Sequence, residues 1–157
     1  MRKISATYIF PGNKPPLKNG ILICDDDGKI LKLTDTGGQL TEQAGLEYYS
    51  GILMPGFINA NHHAEPPPSI VGRGTNRLAQ KQQLSTLSEM IALQQNSPEL
   101  SLEELIKRAT INAARALQID DRFGSFEPGK RPGINLITGA DLKNLKLTAQ
   151  SKLKKLV

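Results

Sequence analysis

The sequence predicts an α+β domain whose strands come from both ends of the chain and carry two packed helices. Three observations carry that expectation. The N-terminal third is rich in β-formers and punctuated by turn residues. A capped segment with a helical apolar stripe follows the middle of the chain. A second β-rich segment, alternating apolar and polar, runs to Val157.

Lys3 to Phe10 reads as a strand, and the prolines of Pro11-Gly12-Asn13-Lys14-Pro15-Pro16 make the next segment a loop. A hairpin follows, from Gly20–Cys24 through Asp25-Asp26-Asp27-Gly28 to Lys29–Leu33, with Gly28 free to take the positive φ of a tight turn. The aspartates lack the spacing and distal Glu of a calcium loop, so they read as turn residues. Thr36-Gly37-Gly38 is another turn, and the polar stretch to Glu47 is irregular. Ile52-Leu53-Met54 is then a buried strand broken by Pro55-Gly56.

The first helix carries Leu84, Leu87, Met90, Ile91 and Gln94 on one stripe, with Thr86 and Glu89 spaced as a capping box, and ends at Asn96-Ser97-Pro98. Ser101-Leu102-Glu103-Glu104 is the stronger box, stapled by Leu100 and Leu105. Leu102, Leu105, Ile106, Ala109, Ala113, Ala116 and Leu117 line one face of the helix it opens. Gly133 to Thr138 reads as a strand. Leu145, Leu147, Ala149, Leu153 and Val157 predict a half-buried terminal strand that pairs with the N-terminal one. Together these make residues 1–157 a single domain, with strands in 1–60 and 124–157 and helices in 84–118.

Composition narrows the function classes. A single cysteine, Cys24, leaves no internal disulfide and fits a reducing compartment, and no apolar run approaches a membrane span. With no signal-peptide pattern at Met1-Arg2-Lys3, a cytoplasmic location is expected. The net charge of +5 is scattered except for Lys152, Lys154 and Lys155, and no nucleic-acid-binding motif accompanies it. Nucleic acid and membrane are therefore not expected as partners.

The stretch Pro55-Gly56-Phe57-Ile58-Asn59-Ala60-Asn61-His62-His63 resembles the first-strand signature of the amidohydrolase superfamily, in which an apolar strand leads into His-x-His. Ala109 to Leu117 resembles the family's C-terminal helix in its cytosine deaminase and chlorohydrolase-like branch. Gly124-Ser125-Phe126-Glu127-Pro128-Gly129-Lys130 with Ile134–Ile137 resembles its following loop and strand, and the N-terminal hairpin resembles the other half of its composite β-sandwich. Gly74-Thr75-Asn76 resembles the Gly-Thr-Asp at the end of the eighth barrel strand.

The resemblance places His63 at the second histidine ligand of a metal site and His62 on the variable residue before it. Asn61 and Asn76 stand where a histidine and an aspartate are expected, so both are lost ligand positions. An amide carries no charge and takes no proton from water. Adjacent strand residues face opposite ways, so His62 and His63 do not converge on one ion from a strand. Glu65 is a candidate third ligand, with a solvated carboxylate the favoured reading. A TIM-type barrel needs roughly 250 residues, and the segment between the two motifs is far too short to encode one.

These features predict a non-catalytic structural domain of amidohydrolase descent, a β-sandwich without its barrel, inactive alone and binding no cofactor. Pro66-Pro67-Pro68-Ser69 reads as a splice or linker, left by engineered excision or natural degeneration; intact flanking motifs favour excision. The alternative is a hydrolase of carbon–nitrogen bonds using zinc or another divalent ion, with a second chain completing its site. Surface formerly facing a barrel is expected to favour a homodimer.

Overall fold

The computed structural model describes residues 1–40, 42–58 and 77–157. Its strands are β1 (Arg2–Ile9), β2 (Leu17–Lys18), β3 (Ile21–Cys24), β4 (Ile30–Thr34), β5 (Leu46–Pro55), β6 (Ile134–Thr138) and β7 (Lys152–Lys155). Its helices are α1 (Arg77–Asn96), α2 (Leu102–Ala109) and α3 (Ile111–Ala116). All strands belong to one mixed sheet of order β4-β3-β1-β5-β6-β7, with β2 also on β1. Among the described residues, only β1 and β5 pair in parallel. Among the described residues there is no closed barrel.

The N- and C-terminal strands therefore share a sheet but do not pair directly, because β5 lies between β1 and β6. β5 can take that place because both faces of its Ile52–Pro55 end are apolar and buried. Ile52 and Met54 enter one core with the helices, while Leu53 enters the other with Ile4, Leu22, Ile30 and Phe126. Each such side chain contributes about 1.5–3 kcal/mol by leaving water.

Thr7 marks a fault line in this sheet. Ile4 and Ala6 face the second core, but Tyr8 and Phe10 face the first, so the strand changes sides at Thr7. Opposite it, the β1–β5 register shifts between Ala6 and Tyr8, leaving an extra residue in β5 at Ser50-Gly51. Such bulges bend and twist a sheet. The bend carries the far edges together: Ile30 N–H donates to the Lys130 carbonyl (2.8 Å), and Gly129 N–H donates to that of Ile30 (2.8 Å). Gly28 lies so close to Val157 that a Cβ there would fall 2.5 Å from its Cγ1.

The two expected helical segments are present, with differences. α1 starts at Arg77, so Thr86 is an interior, buried residue rather than a cap, and Leu84 is 52% exposed. Ser101 does cap α2, its hydroxyl accepting from Glu104 N–H (3.1 Å). The second segment is divided at Thr110, whose φ and ψ of −127° and −96° leave the helical region while its hydroxyl donates to the Ile106 carbonyl (2.7 Å). The inward face rotates there. Ile111, Ala113 and Ala114 are buried in α3, and Ala116 is exposed.

The terminal strand is shorter than its alternating pattern suggests. Leu145 adopts a left-handed φ of 51° inside a turn closed by the Asp141–Lys146 bridge, and Ala149 is exposed. Regular pairing resumes only at Lys152.

Candidate functional site

Asn61, His62, His63, Glu65, Asn76 and the Pro66–Ser69 run all lie outside the described residues. What the structure does define is how the chain is held as it leaves β5 toward them. Gly56 N–H donates to the carbonyls of Pro132 (3.2 Å) and Gly133 (3.3 Å). A Cβ at Gly56 would sit 2.9 Å from the Pro132 oxygen, so only glycine allows this approach.

The next residue is clamped by a helix side chain. Phe57 N–H donates to Gln83 Oε1 (2.9 Å), and Gln83 Nε2 donates to the Phe57 carbonyl (2.7 Å). The primary amide thus serves Phe57 as a neighbouring strand would. Asn135 Nδ2 in β6 donates to the same Oε1 (2.8 Å), which fixes the orientation of the glutamine. Ile58 N–H then donates to the Ala109 carbonyl at the end of α2 (2.7 Å), and its side chain packs with Ala113, Ala114 and Phe123. Strand, helix layer and β6 together hold the chain up to residue 58.

Gln83 and Asn135 had no role in the sequence reading. Their signal was present: Gln83 and Gln94 are eleven residues apart, three helical turns, and so share a face. Asn135 is a buried polar residue between Ile134 and Leu136 in β6.

A second cluster sits in the Gly124–Lys130 loop. Lys130 Nζ donates to Ser125 Oγ (2.9 Å) and Glu127 Oε1 (2.9 Å), while Ser125 Oγ donates to Glu127 Oε1 (2.7 Å). Bonds from Lys130 and then Ser125 hold the Glu127 carboxyl below its ordinary range. Ser125 is wholly buried and both its partners are engaged, so it cannot reach a substrate as a nucleophile. The cluster locks a turn. Gly124, at φ 94°, lets that turn lie against α3: a Cβ there would fall 2.8 Å from the Ala114 Cβ.

Among the described residues no group of three or more His, Cys, Asp or Glu could hold a metal ion. Cys24 is buried, which pushes its thiol pKa up, away from the thiolate a metal needs. The described donor set does not fit a zinc ion. No described helix is long and apolar enough to cross a membrane.

The solved structure of a prolidase-like protein from Bifidobacterium longum superposes with a TM-score of 0.54 at 12% identity, covering 92% of this chain and 90% of that one. That likeness is one of fold. An imidazolonepropionase of Picrophilus torridus is 46% identical over 54 residues, 34% of this chain. The match spans only 14% of that relative's length. The sequence pattern of the Amidohydrolase family matches residues 69–156, more than half of the protein. The chain belongs to the amidohydrolase family.

Proposed function

We propose that this chain is a non-catalytic structural domain of the amidohydrolase family, its curled mixed sheet corresponding to the composite β-sandwich that accompanies the barrel. One observation carries the reading. β5, the strand that leads toward the histidines, is spent on this domain's own core: β1 and β6 flank it, and Gln83 and Ala109 hold the residues after it. Only residues 59–76 separate that anchored end from α1, where a barrel would need some 200 residues or more. Pro66–Ser69, within that short connection, is then the splice of an excised or lost barrel.

The substitutions Asn61 and Asn76 support the same reading, since each replaces an ionisable or imidazole ligand with a neutral amide. Zinc content per chain tests it. The expected result is little bound zinc, unchanged by His63→Ala or His62→Ala; one zinc per chain that His63→Ala removes would overturn it. The second reading, a divalent-metal hydrolase of carbon–nitrogen bonds completed by another chain, rests on the family match. It predicts His63-dependent metal only in a homodimer or larger assembly, which sedimentation with zinc resolves.

A further inference from the structure

We propose that Asn19 is a deamidation site that the fold holds shut, so that conversion to aspartate or isoaspartate proceeds only when the contacts of its carboxamide with Gly38 and Tyr48 open. The proposal is independent of the family reading and rests on three observations.

The first is chemical. Asn19 precedes Gly20, and glycine has no side chain to shield its amide nitrogen. That nitrogen can attack the Asn19 carboxamide carbon, forming a new C–N bond and a cyclic imide. The bond to the side-chain nitrogen breaks, and ammonia leaves with the proton displaced from Gly20. Water then opens the imide at either carbonyl, giving aspartate or isoaspartate.

The second is that the fold requires both residues of this pair. Asn19 has a φ of 55°, a left-handed conformation that asparagine tolerates better than most residues. Gly20 is buried, and a Cβ there would lie 3.2 Å from both Leu17 Cβ and the Thr34 oxygen. Neither is readily exchanged for a residue that removes the liability.

The third is that every polar group of Asn19 is tethered. Its Nδ2 donates to the Gly38 carbonyl (2.9 Å), and its Oδ1 accepts from the Tyr48 hydroxyl (3.3 Å). Its N–H donates to the Thr7 carbonyl (3.1 Å), and its own carbonyl accepts from the Thr36 hydroxyl (3.0 Å). The carboxamide cannot swing onto the Gly20 nitrogen without releasing Gly38 and Tyr48. Once converted, a carboxylate at position 19 has no N–H to offer Gly38, and two oxygens oppose each other. Isoaspartate also lengthens the backbone where β2 and β3 both pair with β1. Reclosure is therefore disfavoured, and opening is recorded irreversibly.

The test incubates the full chain in mildly alkaline buffer, folded and in denaturant, and follows a gain of about 1 Da at residue 19 by peptide mass mapping. Conversion should be slower in the folded chain by on the order of tenfold or more, the protection expected of a locally closed segment. Tyr48→Phe should raise the folded rate and leave the unfolded rate unchanged. Asn19→Asp should fold with a lower denaturation midpoint than the parent chain. Equal rates in folded and unfolded chains, no conversion in denaturant, or a folded rate indifferent to Tyr48→Phe would each overturn the proposal.

Discussion

Gln94 and Leu147 are bonded to each other twice: Gln94 Nε2 donates to the Leu147 carbonyl (2.8 Å), and Leu147 N–H donates to Gln94 Oε1 (3.0 Å). Both residues are buried. Gln94→Ala therefore strands a backbone donor and acceptor away from water, at about 1–3 kcal/mol for each group. We expect a loss of about 2–4 kcal/mol in denaturant unfolding. Gln94→Glu should lose much of the same stability at neutral pH, because a carboxylate has no N–H for the Leu147 carbonyl. A midpoint unchanged in both variants would show that water replaces the clamp.

Gln83 and Gln94 lie about 16 Å apart along α1 and grip different segments, Phe57 and Leu147. Their losses should add to within about 0.5 kcal/mol. Hydrogen exchange should report the double variant as faster in α1 than in α2, since both lost clamps lie on α1. A double variant no less stable than either single one would mean that the clamps act as one unit.

Acid should weaken the fold through two depressed carboxyls. Arg2 grips Glu47 with two 2.9 Å bonds, and Lys130 with Ser125 holds Glu127; both carboxyls have lowered pKa values. A lowered folded-state pKa gives stability that is fully present above the ordinary glutamate value of about 4.3. It is lost as pH falls through the depressed folded values. Glu47→Gln and Glu127→Gln should each lower the urea midpoint at neutral pH and converge on the parent chain in acid. Curves that stay parallel into acid would assign the cost to something other than charge.

Glycine substitutions separate backbone conformation from contact. Gly124 and Gly129 have nearly the same φ, 94° and 93°. A Cβ at Gly124 would meet Ala114 and Ile111 at 2.8 and 3.0 Å, whereas nothing lies within 4 Å of one at Gly129. Gly129→Ala should cost about 1 kcal/mol, from conformation alone. Gly124→Ala should cost about 2–4 kcal/mol, because α3 must also move. Equal thermal shifts would contradict the close packing of this loop on α3.

The parts of this fold that were legible in the sequence are those set by local patterning. The β3–β4 hairpin with Gly28 at φ 87°, the Ser101 cap and strand β6 all lie where turn chemistry, capping and apolar runs place them. What was not legible depends on distant partners. Nothing local to Thr110 announces the break between α2 and α3, because α3 turns a different face inward to meet Ile58 and Phe123. The Leu145–Ala149 alternation imitates a strand, yet Gln94 takes the Leu147 backbone that a strand would have paired. For the site, the residues that the resemblance points to, His63, Asn61 and Asn76, lie outside the described residues, while the clamp on Phe57 required knowing which side of α1 faces β6.

Arg2 Nη1 donates to the Leu156 carbonyl at 2.9 Å, across 154 positions of sequence. That contact, with the parallel β1–β5 pair and the β5–β6 pair, makes assembly depend on meetings between remote parts of the chain. Folding should be slow for the protein's size. During synthesis, on the order of seconds pass between the emergence of β5 and that of β6. Through that interval Ile52-Leu53-Met54 has no partner on one edge, and an apolar strand with an open edge is a template for pairing between nascent chains. Soluble yield should therefore be set by how quickly residues 134–138 follow, and should rise when synthesis is unpaused between β5 and β6.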